Sequence, residues 1–239
     1  MEPAILFEDD ALVVIDKPPG MIVYPDGKHD YPALSHWLEK KYKEPARPAG
    51  GHHFVHRIDR ETSGVLVVAK TAEAHAFLKE QFQNREIKKI YRAFIYGALK
   101  EERGVISKPI GSSRGGKGPR SATRPHGVMR EASTVWKRLI NGEGCSYIEA
   151  FPKTGRTHQI RVHCAAIQHP IVCDQLYAPQ RPPMLGFKRL ALHALSVTIL
   201  HPGGKPARPD DTGRSGGEMT FVAPLPPDFV AAEAQLRGE

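Results

Sequence analysis

Short apolar runs, rich in β-branched residues and separated by turn-forming residues, constrain the fold of this 239-residue chain most strongly. The run at residues 12–15 stops at the turn Pro18-Pro19-Gly20. The run at residues 65–69 is the most apolar and predicts a buried strand. Further strands are predicted at residues 91–96, 133–139, 145–151, 190–200 and 218–222.

Helices are predicted between some of these strands. Apolar residues recur at helical spacing over residues 34–42 and again after Thr71, which is a plausible N-cap. A third helix is expected after residue 154, with Thr157 as its cap. Runs of strands with a few helices predict an α+β fold rather than a regular βαβ repeat. No linker clearly splits the sequence, so we expect a single domain over residues 1–239.

The net charge of +8, from 34 Lys and Arg against 26 Asp and Glu, indicates a polyanionic partner, either nucleic acid or an anionic membrane, although many basic proteins bind neither. No apolar run is long enough to cross a bilayer, and the N-terminus lacks signal-peptide features, so we expect a cytoplasmic protein without a membrane partner. Cys145, Cys164 and Cys173 show no CxxC spacing, and no histidine has a recognised metal-ligand spacing. We therefore expect neither disulfides nor a metal, and a monomer.

Residues 108–130 stand out because they carry six Lys or Arg and no acidic residue. Glycines and prolines interrupt the segment, which predicts a long, flexible, basic loop between strands. One interpretation is an arm that grips RNA phosphates, and the alternative is a solvated insertion. The side chains expected to contact the RNA backbone are Arg114, Lys117, Arg120 and Arg124.

The densest polar stretch, HRIDRETSG at residues 56–64, directly precedes the strand at 65–69. Its Asp59 lies among Arg57, Arg60 and His56, and positive neighbours favour the charged form of a carboxylate. Such a carboxylate can act as a nucleophile or stabilise a developing cation. The competing interpretation is an ordinary cluster of ion pairs at the entrance to a strand.

Two further segments carry side chains suited to binding. In GRTHQIRVH, residues 155–163, Arg161 falls on a helix face that needs an anion, and Asp59 or an RNA phosphate could supply it. In residues 88–94, Tyr91 is flanked by basic residues and could stack on a base. The commoner fate of a strand tyrosine is a core or cross-strand contact.

These segments together resemble the RluA-type pseudouridine synthases. The resemblance is carried by HRIDRETSG, by the early Lys17-Pro18-Pro19-Gly20 turn, by Lys89-Ile90-Tyr91, by GRTHQIRVH, and by the segments LALHA at 190–194 and APLP at 223–226. It spans nearly the whole chain in the right order. Tyr24-Pro25 departs from the His-Pro of many members, which bears only on local packing.

The resemblance implies an enzyme that isomerises uridine in ribosomal or transfer RNA after flipping it out of the stack. It implies a long mixed, mainly antiparallel sheet flanked by helices and loops, with a central active-site cleft. Asp59 takes the place of the catalytic Asp, Arg57 of the Arg that fills the space of the flipped nucleotide, Tyr91 of the Tyr against the target base, and Arg161 of the Arg that pairs with the Asp.

No metal or cofactor is implied by this chemistry. The small RNA-binding domain that precedes the catalytic domain in many relatives is expected to be missing. Two alternatives stay open at this stage. One is a catalytically silent RNA-binding module. The other is a hydrolase that pairs His56 or His158 with Asp59. It would need a nucleophilic Ser or Cys, and Ser63 and Cys164 lie in no recognised nucleophile motif.

Overall fold

The structure is a computed structural model, and it describes residues 2–25, 27, 29–43, 53–112, 120–123, 126–203 and 217–239. The chain divides into two compact units. Unit 1 comprises Met1–Lys89 and Ala194–Pro224, and unit 2 comprises Ile90–His193 and Leu225–Glu239. A single domain over residues 1–239 stays a prediction.

Strands and helices alternate irregularly along the chain. The helices are α1 (Leu34–Tyr42), α2 (Ala72–Asn84), α3 (Gln159–Ala166) and α4 (Pro227–Arg237). The strands are β1 (Ala4–Glu8), β2 (Leu12–Lys17), β3 (His53–Phe54), β4 (Ser63–Ala69), β5 (Lys88–Tyr96), β6 (Arg103–Ile106), β7 (Ile110–Ser112), β8 (Arg120–Ser121), β9 (His126–Arg130), β10 (Thr134–Gly142), β11 (Cys145–Pro152), β12 (Leu192–Leu200) and β13 (Glu218–Val222).

Unit 1 is built on a sheet in the order β1-β2-β4-β12, to which β3 adds on β4 and β13 on β12. Strand β2 runs antiparallel to both β1 and β4. Every residue of β4 is buried, as expected for an apolar run that lies inside a sheet. Helix α2 begins at the predicted cap, where Thr71 Oγ1 accepts a hydrogen bond from the Ala74 N–H at 3.1 Å.

Gly64 sets how closely β4 approaches its neighbour. Its φ is +113°, and a side chain there would collide with the backbone carbonyl of Ala194 in β12. On its other side Gly64 lies opposite Lys17, the last residue of β2. Only glycine combines this φ with this close approach. The start of β4, which the last two residues of the HRIDRETSG segment form, is therefore fixed on both sides.

Unit 2 contains an antiparallel sheet in the order β5-β11-β10-β6 and a separate three-stranded sheet in the order β8-β7-β9. Its core is aromatic: Phe94 of β5 stacks on Tyr147 of β11 with ring centroids 4.2 Å apart. Phe187 and Phe229 pack around the same ring. Helix α4 contributes Phe229 and Ala232, both buried, to this core.

The α+β class is confirmed, and all predicted strands and the helix at 34–42 are present. Two predictions are wrong. Helix α3 begins after His158, which has a left-handed backbone with φ of 57°, so Thr157 is not its cap. The basic segment 108–130 is not simply a loop, because β7, β8 and β9 pair within it. Glycine does not exclude strands here, because Gly111 lies in β7 and Gly127 in β9.

Among the helices that the structure describes, none is long and apolar enough to cross a membrane. The three cysteines are buried as free thiols.

Candidate functional site

Asp59 lies in the loop that joins β3 to β4 in unit 1. It opens a turn in which the Thr62 N–H donates to the Asp59 carbonyl at 3.1 Å. Asp59 is half-buried, between the buried Ile58 on one side and the buried Thr62 and Ser63 on the other. The carboxylate is therefore carried by a turn whose flanks are anchored in the interior.

A fully buried lysine, Lys17, binds this turn through hydrogen bonds to backbone carbonyls. The Lys17 ammonium donates to the carbonyls of Pro18 and Met21, both at 2.8 Å, and to that of Arg60 at 3.1 Å. The Gly20 N–H donates to the same Arg60 carbonyl at 2.8 Å. A buried ammonium is stable only when its donors are satisfied, and these carbonyls meet that need. The early turn thereby fixes the peptide next to Asp59.

The arginines beside Asp59 have different environments. Arg60 pairs with Glu61 at 2.5 Å, and its guanidinium lies 4.1 Å from the ring centroid of Tyr31. Arg57 is exposed. Glu61 and Tyr31 thus hold Arg60, whereas Arg57 is accessible to an anionic ligand from solvent.

His56 is not the positive neighbour expected from the sequence. Its Nε2 accepts a hydrogen bond from the Val67 N–H at 3.0 Å, which requires an unprotonated nitrogen, and its ring stacks on Phe82. Desolvation, with the nearby Lys89 charge as the second cause, lowers the pKa of His56 to about 3. His56 is therefore neutral at physiological pH and serves to fasten the loop to β4.

In unit 2, Arg161 of α3 forms a two-bond salt bridge with Asp174. Nε donates to Oδ2 and Nη2 to Oδ1, both at 2.8 Å, and both side chains are buried. Asp174 Oδ1 also accepts from the N–H groups of Leu176 and Tyr177. The guanidinium of Arg161 lies 5.2 Å from the Tyr177 ring centroid. This arrangement fixes the plane of the guanidinium.

The rest of GRTHQIRVH forms a buried hydrogen-bond chain. Gln159 Nε2 donates to Thr134 Oγ1 at 3.0 Å, and Thr134 Oγ1 lies 2.9 Å from His163 Nδ1. His163 Nε2 lies 3.0 Å from the carbonyl of Lys108, so that nitrogen carries the proton and the Thr134 hydroxyl donates to Nδ1. Burial lowers the pKa of His163 and favours this neutral form. The chain ties α3 to the start of the basic segment.

Tyr91 lies on β5 opposite Ala150 of β11 and is half-buried against the core of unit 2. In the basic segment, Arg120 is exposed on β8 and donates to Ser112 Oγ at 3.1 Å. Arg114, Lys117 and Arg124 lie outside the described residues. The structure thus places Asp59 and Arg57 in unit 1, and Tyr91, Arg161 and Arg120 in unit 2.

Two side chains that support the candidate site were not identified from the sequence. Asp174 was not singled out, although it is the single acidic residue between Glu149 and Asp210. An isolated carboxylate after an arginine-bearing helix is a signal that could have found it. Lys17 was recognised only as part of a turn, and its burial gives it a holding role.

The hydrolase alternative finds no support in these surroundings. Cys164 is buried, and desolvation, with the Asp174 charge as a second cause, raises the pKa of its thiol to about 12. Ser63 is buried as well, and His56 uses Nε2 as an acceptor for the backbone. His158 Nδ1 lies 3.0 Å from the Tyr177 hydroxyl. Within the described part of the chain, no group of three or more His, Cys, Asp or Glu side chains could hold a metal ion.

Comparison with known proteins gives one consistent result. Residues 11–166 match the family described as RNA pseudouridylate synthase. The chain is 33% identical over 235 residues to an uncharacterised RNA pseudouridine synthase of Synechocystis, covering 98% of this chain and 68% of that protein. It is 35% identical over 242 residues to the ribosomal large subunit pseudouridine synthase D of Nitrosomonas europaea, covering 98% of this chain and 65% of that protein.

Two solved structures share the fold. Human RNA pseudouridylate synthase domain containing 4 superposes with a TM-score of 0.72 at 26% identity, covering 98% of this chain and 93% of that one. Human RNA pseudouridylate synthase domain containing 1 gives a TM-score of 0.70 at 26% identity, covering 98% and 95%. The chain therefore spans nearly all of these structures, but about two thirds of the length of the curated relatives above.

Proposed function

The chain belongs to the RNA pseudouridylate synthase family, and on that premise we propose that Asp59 is the carboxylate with which it isomerises uridine to pseudouridine in RNA. The reaction breaks the bond between ribose carbon 1 and ring nitrogen 1, turns the uracil and rejoins it through carbon 5. Neither oxidation nor hydrolysis takes place, so the chemistry calls for no metal or cofactor.

The observation that carries this proposal is the support of the Asp59 turn. Lys17 and Gly20 hold the Arg60 carbonyl, and Gly64 fixes the start of β4. A catalytic group needs this kind of preorganised backbone, because a small displacement from the reacting atoms costs much of the rate. The holding residues Lys17, Gly20 and Gly64 all lie within residues 11–166, the part that matches the family.

A carboxylate can serve this reaction in three ways. It can attack the ribose carbon, stabilise the ribose cation, or remove a ribose proton. Each way needs an ionised Asp59 at the ribose of a uridine that has been flipped out of the stack. Flipping costs roughly a few kcal/mol, and we propose that the exposed Arg57 offsets part of this by filling the vacated space.

We propose Tyr91 as the side chain that packs against the target base and Arg161 as the cation of the site. Asp174 engages Arg161 through Nε and Nη2, which holds the guanidinium in one orientation. A guanidinium suits an anion such as the Asp59 carboxylate or an RNA phosphate. The pairing of Arg161 with Asp59 is a prediction of the sequence.

The names of the relatives favour ribosomal over transfer RNA as the substrate. The proteins from Nitrosomonas europaea, Pseudomonas aeruginosa and Xanthomonas campestris are all ribosomal large subunit pseudouridine synthase D. We propose that this chain modifies RNA of the large ribosomal subunit as a cytoplasmic monomer. The net charge of +8 supports an RNA partner, and the basic segment 108–130 would supply backbone contacts through Arg120 and its basic neighbours.

Replacing Asp59 by Asn tests the proposal directly. Tritium release from ribosomal RNA labelled at carbon 5 of uridine should fall below detection, while RNA affinity stays within about twofold, since a single carboxylate contributes little to a backbone-dominated interface. Glu61→Gln, which neutralises the neighbouring carboxylate, should keep most of the conversion. Wild-type protein that binds RNA without releasing tritium would identify a silent RNA-binding module instead.

A further inference from the structure

We propose that a surface pocket of unit 2 binds a nucleotide that flanks the target uridine, an inference that rests on the proposed function. The pocket has a volume of about 570 Å³, within the range of small-molecule sites of about 300–1,000 Å³. Its lining includes Gln168 and Pro170 after α3, and Tyr177, Pro179, Gln180 and Arg181 from the following segment. None of the described residues that line the pocket is acidic.

One wall of the pocket is held by hydrogen bonds to Asp174, the residue whose carboxylate binds Arg161. Asp174 Oδ1 accepts from the Tyr177 N–H at 3.1 Å, and the Asp174 carbonyl accepts from the Ala178 N–H at 2.8 Å. The Arg181 N–H in turn donates to the Ala178 carbonyl at 3.1 Å. These consecutive turns hold the wall in a fixed relation to the guanidinium proposed for the catalytic site.

Tyr177 is shared between Arg161 and the pocket. Its ring faces the Arg161 guanidinium, and its hydroxyl lies 3.0 Å from His158 Nδ1. Because one side chain contacts the proposed site cation and also lines the pocket, a ligand in the pocket is a near neighbour of Arg161. In an RNA substrate whose target uridine lies at Arg161, the group that can reach the pocket is a nucleotide next to that uridine along the RNA strand.

The charge of the pocket suits a phosphate. Arg181 is exposed, and its guanidinium lies 5.5 Å from the ring centroid of Tyr96, which limits its freedom. The end of α3 would otherwise present bare carbonyls. However, the Ala165 carbonyl accepts from the Gln168 N–H at 3.0 Å, and the Ala166 carbonyl accepts from the Lys108 ammonium at 3.2 Å. Both carbonyls at the end of α3 therefore have donors, which reduces the negative field of the helix end.

The polar side chains of the pocket suit a base. Gln168 and Gln180 are exposed, and each amide offers two donors and an acceptor to the edges of a base. The tyrosine and proline side chains supply apolar surface against which a base can lie. Sites for unpaired RNA combine these elements, namely a flat apolar surface, amides at the base edge and a cation for the phosphate.

The test compares Arg181→Ala and the double variant Gln168→Ala/Gln180→Ala with Arg103→Ala, which removes an exposed arginine from β6 of the same unit. The first measurement is anisotropy of a labelled single-stranded RNA over a series of salt concentrations. We expect Arg181→Ala to weaken binding about tenfold and to reduce the salt slope by about 0.7, the value for one phosphate contact on a single strand. The glutamine variant should weaken binding with an unchanged slope. Effects no larger than those of Arg103→Ala overturn the proposal.

The second measurement is conversion of a large-subunit RNA fragment with abasic substitutions placed singly on either side of the modified uridine. On the intact fragment, the glutamine variant should lose about tenfold in kcat/KM. On the fragment that lacks the base at one of the two flanking positions, its kcat/KM should fall no further, because the variant and the missing base remove the same contact. Losses that add at every position overturn the pocket assignment. Wild-type protein that converts no uridine contradicts the proposed function instead, and the anisotropy measurement still decides on the pocket.

Discussion

Arg161 and Asp174 form a buried salt bridge through two parallel hydrogen bonds of 2.8 Å, and the side chain of Asp174 is wholly inaccessible to solvent. Asp174→Asn should lower the free energy of unfolding by about 3 kcal/mol or more, because it removes the carboxylate charge from a buried ion pair. The loss is measurable by urea unfolding. Conversion of uridine should fall as well, since the guanidinium is no longer held in one plane.

The chain contains a matched control for this change. Arg189 and Asp228 bind through the same atoms at 2.8 and 2.9 Å, but their side chains are 16% and 30% exposed. Water screens such a pair, so Asp228→Asn should cost about 1 kcal/mol or less. Equal losses at the two positions would contradict the role given to burial.

Lys17 offers a test of the support beneath Asp59. Lys17→Met keeps the length of the side chain and removes three hydrogen bonds to backbone carbonyls. An unsatisfied buried acceptor costs about 1–3 kcal/mol, so the free energy of unfolding should fall by about 3 kcal/mol or more. The kcat should also fall, because the Arg60 peptide next to Asp59 loses one of its two holding bonds.

Lys70→Met is the control for the lysine experiment. Lys70 also bonds a backbone carbonyl, that of Asp9, but its side chain is 24% exposed and it does not touch the Asp59 turn. A smaller loss of stability and an unchanged kcat are expected. If Lys17→Met lowers stability without changing kcat, Lys17 is a structural residue and does not position Asp59.

His56 makes the stability of unit 1 depend on pH in a defined direction. Its pKa is lowered from 6.5 to about 3 in the folded chain, so the unfolded chain binds an extra proton between these values. The contribution of neutral His56 to the free energy of unfolding is complete above pH 6.5. It is lost as the pH falls toward 3, at up to about 1.4 kcal/mol per pH unit. His56→Gln should flatten this part of the stability curve, as followed by urea unfolding from pH 7 to pH 4.5.

The exposed His36 on α1 provides the comparison, since His36→Gln should leave the curve as it is. A curve that keeps its slope in His56→Gln would mean that other groups cause the acid sensitivity.

Local sequence patterns predicted the elements that short-range interactions determine. The bounds of α1 follow from apolar residues at helical spacing, and the start of α2 follows from the Thr71 cap. Strand β13 at residues 218–222 was also predicted, because a short β-branched and aromatic run needs only a neighbouring strand. At these places propensity, pattern and capping agree, so a short window contains the answer.

What the sequence did not reveal depends on partners that lie far along the chain. Strand β7 pairs with β9 across a stretch rich in glycine and proline, and nothing in a short window encodes that register. His56 was interpreted as a cation from its neighbours in the sequence. Its role as an acceptor depends on the Val67 N–H in the next strand, which the local sequence does not show. The partner of Arg161 within unit 2 is 13 residues away on a segment without periodicity.

The basic segment 108–130 leads to a prediction about salt. Replacing Arg114, Lys117, Arg120 and Arg124 by Gln removes four charges proposed to contact RNA phosphates. Each lost contact lowers the dependence of log affinity on log salt by about 0.7–0.9, so the slope should fall by about 3. The matched control removes four positive charges from exposed sites elsewhere, namely Lys40, Lys79, Arg85 and Arg237. If both variants change the slope equally, net charge alone explains RNA affinity and the segment is a solvated insertion. If only the first variant does so, the segment is the part of the chain that grips the RNA backbone.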